Sequence, residues 1–151
     1  MAIIDNVGRV ITAALLMGMT VPAVAHHSFA QFDVTRSYVL DGTVTSFEWT
    51  NPHGWLWVSV AAVSGGTQIW GAELKAPAGL VRDGWSKRSF NPGDRVKLYI
   101  HPMRDSTRAG EFVMAVLADG KVLQPAEGSP GGPVHDPQPP PGTIATGAPT
   151  G

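Results

Sequence analysis

The 151-residue sequence contains no cysteine, which excludes disulfide bonds, thiolate metal sites, a cysteine nucleophile and a lipid anchor on cysteine. Charged residues make up only 15% of the chain, and 11 basic against 12 acidic side chains leave a formal net charge of −1. A chain so evenly balanced lacks the basic excess with which proteins hold nucleic acid or an anionic membrane surface. We therefore expect neither as a partner.

Familiar catalytic motifs are also missing. The chain has no Gly-x-Ser-x-Gly elbow, no His-Glu-x-x-His zinc motif and no glycine-rich phosphate loop. Asp41, Glu48 and Glu73 fall on predicted strands, but their spacing selects no acid–base pair. An enzyme is therefore the less favoured class, and no catalytic residue is assigned.

No apolar run is long enough to span a bilayer. Val10–Val21 is uncharged and mostly apolar, and Pro22–Ala25 then supplies small residues at the −3 and −1 positions of a signal-peptidase site. The pattern predicts a cleaved signal peptide over residues 1–25 and a mature chain that begins at His26, in the periplasm or outside the cell. A retained anchor helix is the alternative.

Proline and glycine are concentrated at the other end of the chain. Gln124–Gly151 consists largely of Pro, Gly, Ala and Thr without hydrophobic periodicity. Such a composition buries too little apolar surface to offset its chain entropy, so we predict a disordered, partly polyproline II tail over residues 124–151. Residues 26–123 remain as one domain, which is long enough for a single core.

Alternating apolar residues predict strands in most of that domain, and Pro77–Asp83 is predicted as a short helix with Leu80 and Val81 facing inward. Three meandering strands, a helix and two further strands are the order of an OB-type barrel. The sequence thus predicts an all-β fold, a small OB-like barrel of five to six strands with one short helix between strands three and four. A small β-sandwich is the alternative. The predicted strands are Val39–Trp49, Trp55–Val63, Gln68–Leu74, Arg95–His101, Gly110–Leu117 and Lys121–Leu123.

Tryptophans are concentrated in the first two strands. Strict alternation in the first strand places Phe47 and Trp49 on the face of Thr45. In the second strand, Trp55 and Trp57 alternate with aliphatic residues, so that both faces are apolar. One face belongs to the core, and the other must be covered by the N-terminal arm, the tail, the helix or a partner. We interpret Trp49, Trp55 and Trp57 as a candidate ligand-binding surface; coverage by the arm or the tail is the alternative.

Several short motifs occur in a set order along the domain, and together they resemble a family of small exported bacterial proteins described as a domain of unknown function, number six-one-five-two. The resemblance spans residues 26–123 and leaves the proline-rich tail uncovered. It implies no established activity. Ala76-Pro77 stands where that family tends to have Ser or Asn, which leaves the start of the helix open. The matching motifs are Ala25-His26-His27-Ser28-Phe29, Phe32-Asp33, Gly42-Thr43-Val44, Trp49-Thr50-Asn51-Pro52-His53, Trp70, Gly84-Trp85 and Pro92-Gly93-Asp94.

Four histidines are candidate metal ligands: His26, His27, His53 and His101. If cleavage falls after Ala25, His26 offers both an α-amine and an imidazole, which a divalent ion readily deprotonates. A third nitrogen from His53 or His101 would complete a site resembling the histidine brace of copper proteins, and nitrogen ligands favour Cu²⁺. The alternative is a solvated arm and a histidine that only caps its turn.

The sequence therefore favours an exported, non-catalytic module that binds an unidentified small ligand or a periplasmic protein. A copper-binding protein is the second hypothesis, and copper is the one cofactor that the residues suggest.

Overall fold

The computed structural model describes residues 29–126 and 132–144. The predicted signal peptide, its cleavage site, His26 and His27 lie outside the described residues. No helix among the described residues is long and apolar enough to cross a membrane.

Six strands and one short α-helix make up most of the described part of the domain, and each begins and ends within two residues of its predicted position. A 3-10 turn at Phe29–Gln31 precedes them, and α1 spans Pro77–Arg82 between the third and fourth strands. Proline stands at the first helical position, where its missing N–H costs no hydrogen bond. The strands are β1 Tyr38–Glu48, β2 Gly54–Ala61, β3 Thr67–Leu74, β4 Arg95–Pro102, β5 Ala109–Leu117 and β6 Val122–Leu123.

The strands form one closed sheet. Their hydrogen-bonded order is β3-β2-β1-β4-β5-β6, and a parallel pairing of β3 with β5 closes the first five strands into a barrel. Strand β6 pairs with β5 outside this closure. Because a single sheet returns on itself, the sandwich alternative is excluded and the prediction of a small OB-like barrel is confirmed.

The barrel interior is filled by alternate residues of the strands, and α1 packs against it. Leu80 of α1 is fully buried, whereas Val81 is 60% exposed. The prediction that both face inward is wrong for Val81, because consecutive helical residues point about 100° apart and a two-turn helix buries only one narrow stripe. After the helix, Trp85 and Phe90 are buried and meet Phe112 edge to face.

A β-bulge divides β1. The register with β2 shifts between Val44 and Ser46, and Thr45 is exposed at that point. Val44 faces the core before the bulge, and Phe47 packs against the core after it. The prediction that Phe47 lies on the face of Thr45 is wrong, because one extra residue reverses the alternation of side chains along a strand.

The described part of the proline-rich segment lies against the barrel. The N–H of Val39 donates to the carbonyl of Gln138 at 3.0 Å, and the N–H of Val63 donates to the carbonyl of Gly142 at 3.0 Å. Thr143 is 7% exposed. These contacts extend beyond residue 123, where composition predicts the tail to begin. The two hydrogen bonds join backbone groups, so they can form in a segment whose side chains show no hydrophobic periodicity.

Candidate functional site

Four outward-facing side chains form a row across four strands of the barrel. Trp55 of β2 pairs across the strands with Glu73 of β3. Glu73 in turn pairs with Glu111 of β5, and Glu111 pairs with His101 of β4. Cross-strand partners share a face of a sheet. Leu56, which follows Trp55, is fully buried in the core, so the row faces the outside of the barrel.

Each of the two carboxylates in this row contacts its own histidine. His53 Nδ1 contacts Glu73 Oε1, and His101 Nδ1 lies 3.3 Å from Glu111 Oε2. The glutamate side chains are only 11% and 8% exposed, so water screens their charges poorly. Neighbouring strands lie about 4.8 Å apart, and two carboxylates at matching positions repel each other when both are ionised. Negative charge on the pair would attract a cation placed beside it.

The two histidines differ in their access to solvent. The His53 side chain follows the cis Asn51-Pro52 bond and is 31% exposed. The His101 side chain is fully buried, its Nε2 lies 3.3 Å from the carbonyl oxygen of Pro133, and its ring stacks on His135 at 6.4 Å between centroids. Both ring nitrogens of His101 thus have protein partners. The structure leaves His53 within reach of a ligand and encloses His101.

A small cavity of about 100 Å³ opens beside His53 and both glutamates. Its remaining walls are mostly apolar, and its one cationic side chain, Lys75, forms an ion pair with Asp83. The cavity can hold a few water molecules or an ion but is far smaller than the ~300–1,000 Å³ typical of small-molecule pockets. The other lining residues are Phe32, Leu74, Leu80, Phe112 and Pro125.

The N-terminal segment reaches the same place. The side-chain amide of Gln31 donates to Glu73 Oε2 at 3.5 Å. His26 and His27 precede Gln31 by five and four residues, which an extended chain covers in at most roughly 18 Å. Among the described residues alone, no group of three or more His, Asp or Glu side chains could hold a metal ion.

Two of the three candidate tryptophans form one surface. Trp55 and Trp57 stack with ring centroids 5.3 Å apart and planes 15° apart, and both are partly exposed. Trp57 Nε1 donates to Glu48 Oε1 at 2.8 Å, which holds the ring in place. Trp49 stands apart from them: it meets Phe47 edge to face at 5.6 Å and packs at the margin of the core.

Glu111 did not stand out in the sequence, and Glu73 was only one of several strand carboxylates. A signal was nevertheless present, because each is the single charged residue inside an otherwise uncharged strand, Thr67–Leu74 or Ala109–Leu117. Charged side chains are rarely buried without a partner. A lone acidic residue in a strand of this kind indicates a paired or functional carboxylate.

The sequence of this chain matches a known protein family. A family model described as a family of unknown function matches residues 14–112, a span that includes His53, Glu73 and Glu111. No curated protein and no solved structure matches the chain significantly. The match covers more than half of the sequence and agrees with the resemblance drawn from its motifs. The chain therefore belongs to the family of unknown function DUF6152.

Proposed function

We propose that this protein is an exported, non-catalytic module that binds a copper ion between its mature N-terminus and the His53–Glu73 edge of the barrel. One observation carries the proposal: Gln31, four residues after His27, contacts the same carboxylate that holds His53. The chain that follows the predicted cleavage site is thereby tied to the accessible histidine of the barrel.

The His53–Glu73 contact is the arrangement that metal-binding histidines commonly have. A carboxylate bound to one ring nitrogen orients the imidazole and raises the basicity of the other nitrogen. Because Glu73 contacts Nδ1, an ion would coordinate the ring through Nε2, in place of any partner that this atom has in the metal-free protein. The α-amine and imidazole of His26 would add two nitrogens, and three nitrogen ligands favour Cu²⁺ among first-row ions. Glu73 and Glu111 would offset the charge of the cation.

The first experiment determines the mature N-terminus. The full chain is expressed with its own leader, recovered from the periplasm and analysed by mass spectrometry of the intact protein. We expect a chain that begins at His26. An unprocessed chain, or one that begins at another residue, would remove the amine ligand and contradict the site as proposed.

The second experiment titrates the processed protein with Cu²⁺ by calorimetry and records its EPR spectrum. We expect one equivalent of tightly bound copper with hyperfine coupling to nitrogen. Glu73→Gln should lower the affinity about 10- to 100-fold, the range found when a ligand's supporting partner is lost, and His53→Ala, which removes a ligand itself, should lower it at least as much. His135→Ala is the matched control, since His135 is exposed and its ring stacks on that of His101 rather than on His53 or Glu73. Equal affinity in His53→Ala and His135→Ala would refute the proposal.

A second candidate function is recognition of a flat or extended ligand on the Trp55–Trp57 surface. The stacked, partly exposed indoles favour it, because aromatic rings held rigid in this way bind sugars, peptides and planar molecules at low entropic cost. The test is a screen on glycan and peptide arrays, repeated with Trp55→Ala and Trp57→Ala. Trp49→Phe is the control on a tryptophan outside this surface. We expect hits that both alanine variants lose and that Trp49→Phe keeps; hits that survive in all three variants would count against this surface.

A further inference from the structure

A second, larger cleft of about 410 Å³ lies between the N-terminal segment and the loop that joins β4 to β5. Three arginines, Arg36, Arg104 and Arg108, and two aromatic rings, Tyr38 and Trp70, line it. Its volume falls within the range of small-molecule pockets, about 300–1,000 Å³. It shares no lining residue with the cavity beside His53.

This arginine cleft is electropositive in a chain whose formal net charge is −1. Against its three arginines stands one lining carboxylate, that of Asp33. Asp33 Oδ1 accepts a hydrogen bond from the Thr35 hydroxyl at 2.6 Å and lies 3.9 Å from Arg104 Nη2. One carboxylate cannot neutralise three guanidinium groups, so an anion that enters the cleft meets net positive charge.

Two of the arginines are held in position, and the third is available. Arg36 lies over the Tyr38 ring, 5.5 Å from its centroid, and donates to the Tyr38 hydroxyl at 3.3 Å. Arg104 Nε donates to the carbonyl of Ala30 at 3.1 Å. Within the described part of the chain, the Arg108 side chain has no hydrogen-bond or ion-pair partner. Its guanidinium can turn toward a ligand at little cost.

The lining of the cleft includes two aromatic rings that contact each other. The rings of Tyr38 and Trp70 meet edge to face with centroids 5.9 Å apart. Trp70 is only 4% exposed, and its indole N–H donates to Gln68 Oε1 at 3.3 Å, so the ring is firmly placed. Aromatic rings beside guanidinium groups suit a ligand with a flat, apolar body and a negatively charged group.

We propose that the arginine cleft binds a small organic anion that joins an aromatic body to a carboxylate or phosphate group. The anionic group accepts charge-assisted hydrogen bonds from Arg108 and from at least one of the other two arginines, whose planar guanidinium groups match either oxyanion. The body of the ligand packs on Tyr38, which is partly exposed, and meets Trp70 at the small part of that residue that is exposed. This site is independent of the copper site and does not rest on it.

The test follows binding to the full processed chain, free of metal, by two-dimensional NMR of backbone amides, indole N–H and arginine Nε–H groups. Phenyl phosphate and benzoate are the probes; phenol carries the ring without the charge, and inorganic phosphate carries the charge without the ring. We expect saturable shifts at Tyr38, Trp70 and Arg108 with phenyl phosphate, benzoate or both, and at least tenfold weaker binding of the two controls. The stronger of the two probes distinguishes a phosphate from a carboxylate ligand.

Variants then distinguish binding in the cleft from nonspecific attraction of the anion to positive charge elsewhere on the surface. Arg108→Gln should weaken binding about tenfold or more, since a hydrogen bond to a charged group contributes roughly that factor. Arg88→Gln makes the same change on an exposed arginine outside the cleft and should leave binding unchanged. If Arg108→Gln disturbs the loop that carries it, Arg36→Gln provides a second test, because Arg36 lines the cleft from a different segment of the chain.

Four results would overturn the proposal. They are no saturable shift with either probe at millimolar concentration, equal losses in Arg108→Gln and Arg88→Gln, shifts confined to the Trp55–Trp57 surface, and inorganic phosphate binding as tightly as phenyl phosphate.

Discussion

Trp57 and Gly71 are cross-strand partners so closely packed that a Cβ atom on Gly71 would stand 2.6 Å from the indole ring. The ring could not simply swing aside, because it also stacks on Trp55 and donates to Glu48. A glycine at this position is therefore what allows the aromatic surface to lie flat on the barrel.

We expect Gly71→Ala to lower the free energy of unfolding by about 1–3 kcal/mol, the usual cost of overpacking a well-packed contact. The measurement is the urea unfolding midpoint, with near-UV circular dichroism to follow the tryptophan pair. Gly79→Ala is the contrasting variant, since the atoms nearest its Cβ are methylene carbons of the Lys75 side chain rather than a stacked ring, and alanine is the better helix former. The gain in helix propensity offsets part of the cost of shifting Lys75, so this variant should lose less stability than Gly71→Ala. Equal midpoints in the two variants would mean that Trp57 is not held by this contact.

The enclosure of His101 predicts that the two barrel histidines respond differently to substitution. His101→Ala should leave copper affinity unchanged in the full chain, because both ring nitrogens already have protein partners. It should instead lower the free energy of unfolding by about 1–3 kcal/mol, since Glu111 loses its buried partner. Copper affinity is measured by calorimetry and stability by urea unfolding on the same samples. A loss of affinity as large as that of His53→Ala would show that residues 132–135 move away when metal binds.

The contacts of the C-terminal segment can be tested by truncation. We expect removal of residues 127–151 to speed hydrogen exchange of the Val39 and Val63 amides at least tenfold, because their carbonyl partners, on Gln138 and Gly142, are lost. Amides within the β4–β5 pairing should keep their protection. The measurement is amide exchange followed by NMR, and unchanged rates at Val39 and Val63 would contradict the observed packing.

Asp33 gives a prediction for acid pH. The hydroxyl of Thr35 donates to its carboxylate and is the largest cause that lowers the pKa of Asp33 below its ordinary value; the Thr35 backbone N–H, Arg104 and Arg36 lower it further. A lowered pKa in the folded state stabilises the fold above the unfolded-state pKa, near 4, and this contribution disappears as the pH falls through the lowered value.

Thr35→Val should therefore raise the pKa of Asp33, observed by NMR titration of the side-chain carboxyl carbon. At neutral pH, the variant should be less stable than the unmodified protein by the full contribution of this hydrogen bond. The difference in stability should shrink below about pH 4, as Asp33 becomes protonated in both the folded and the unfolded chain. Asp105 serves as an internal control: hydrogen bonds from Thr107 lower its pKa, and that pKa should not change in the variant. An unchanged Asp33 titration would rule out the hydroxyl as the cause.

Local pattern was sufficient to place the strands and α1. Alternating apolar residues need a strand to face a core, and proline at residue 77 with glycine at residue 84 marks a helix between them, so these signals depend on neighbours in sequence. The pattern did not predict which side chains face the core where one extra residue breaks the alternation. The bulge at Thr45 reverses the faces of β1, and nothing in the local sequence distinguishes it from regular pairing.

By itself, the sequence determined the order of the strands and the short helix along the chain, the family and the histidines worth testing. Tertiary structure alone decided which of those residues meet. The parallel pairing of β3 with β5 sets Glu73 beside Glu111, and the returning C-terminal segment encloses His101 while leaving His53 accessible. The physical reason is that these contacts join residues far apart in the chain through backbone pairing, and backbone hydrogen bonds leave no mark on residue type.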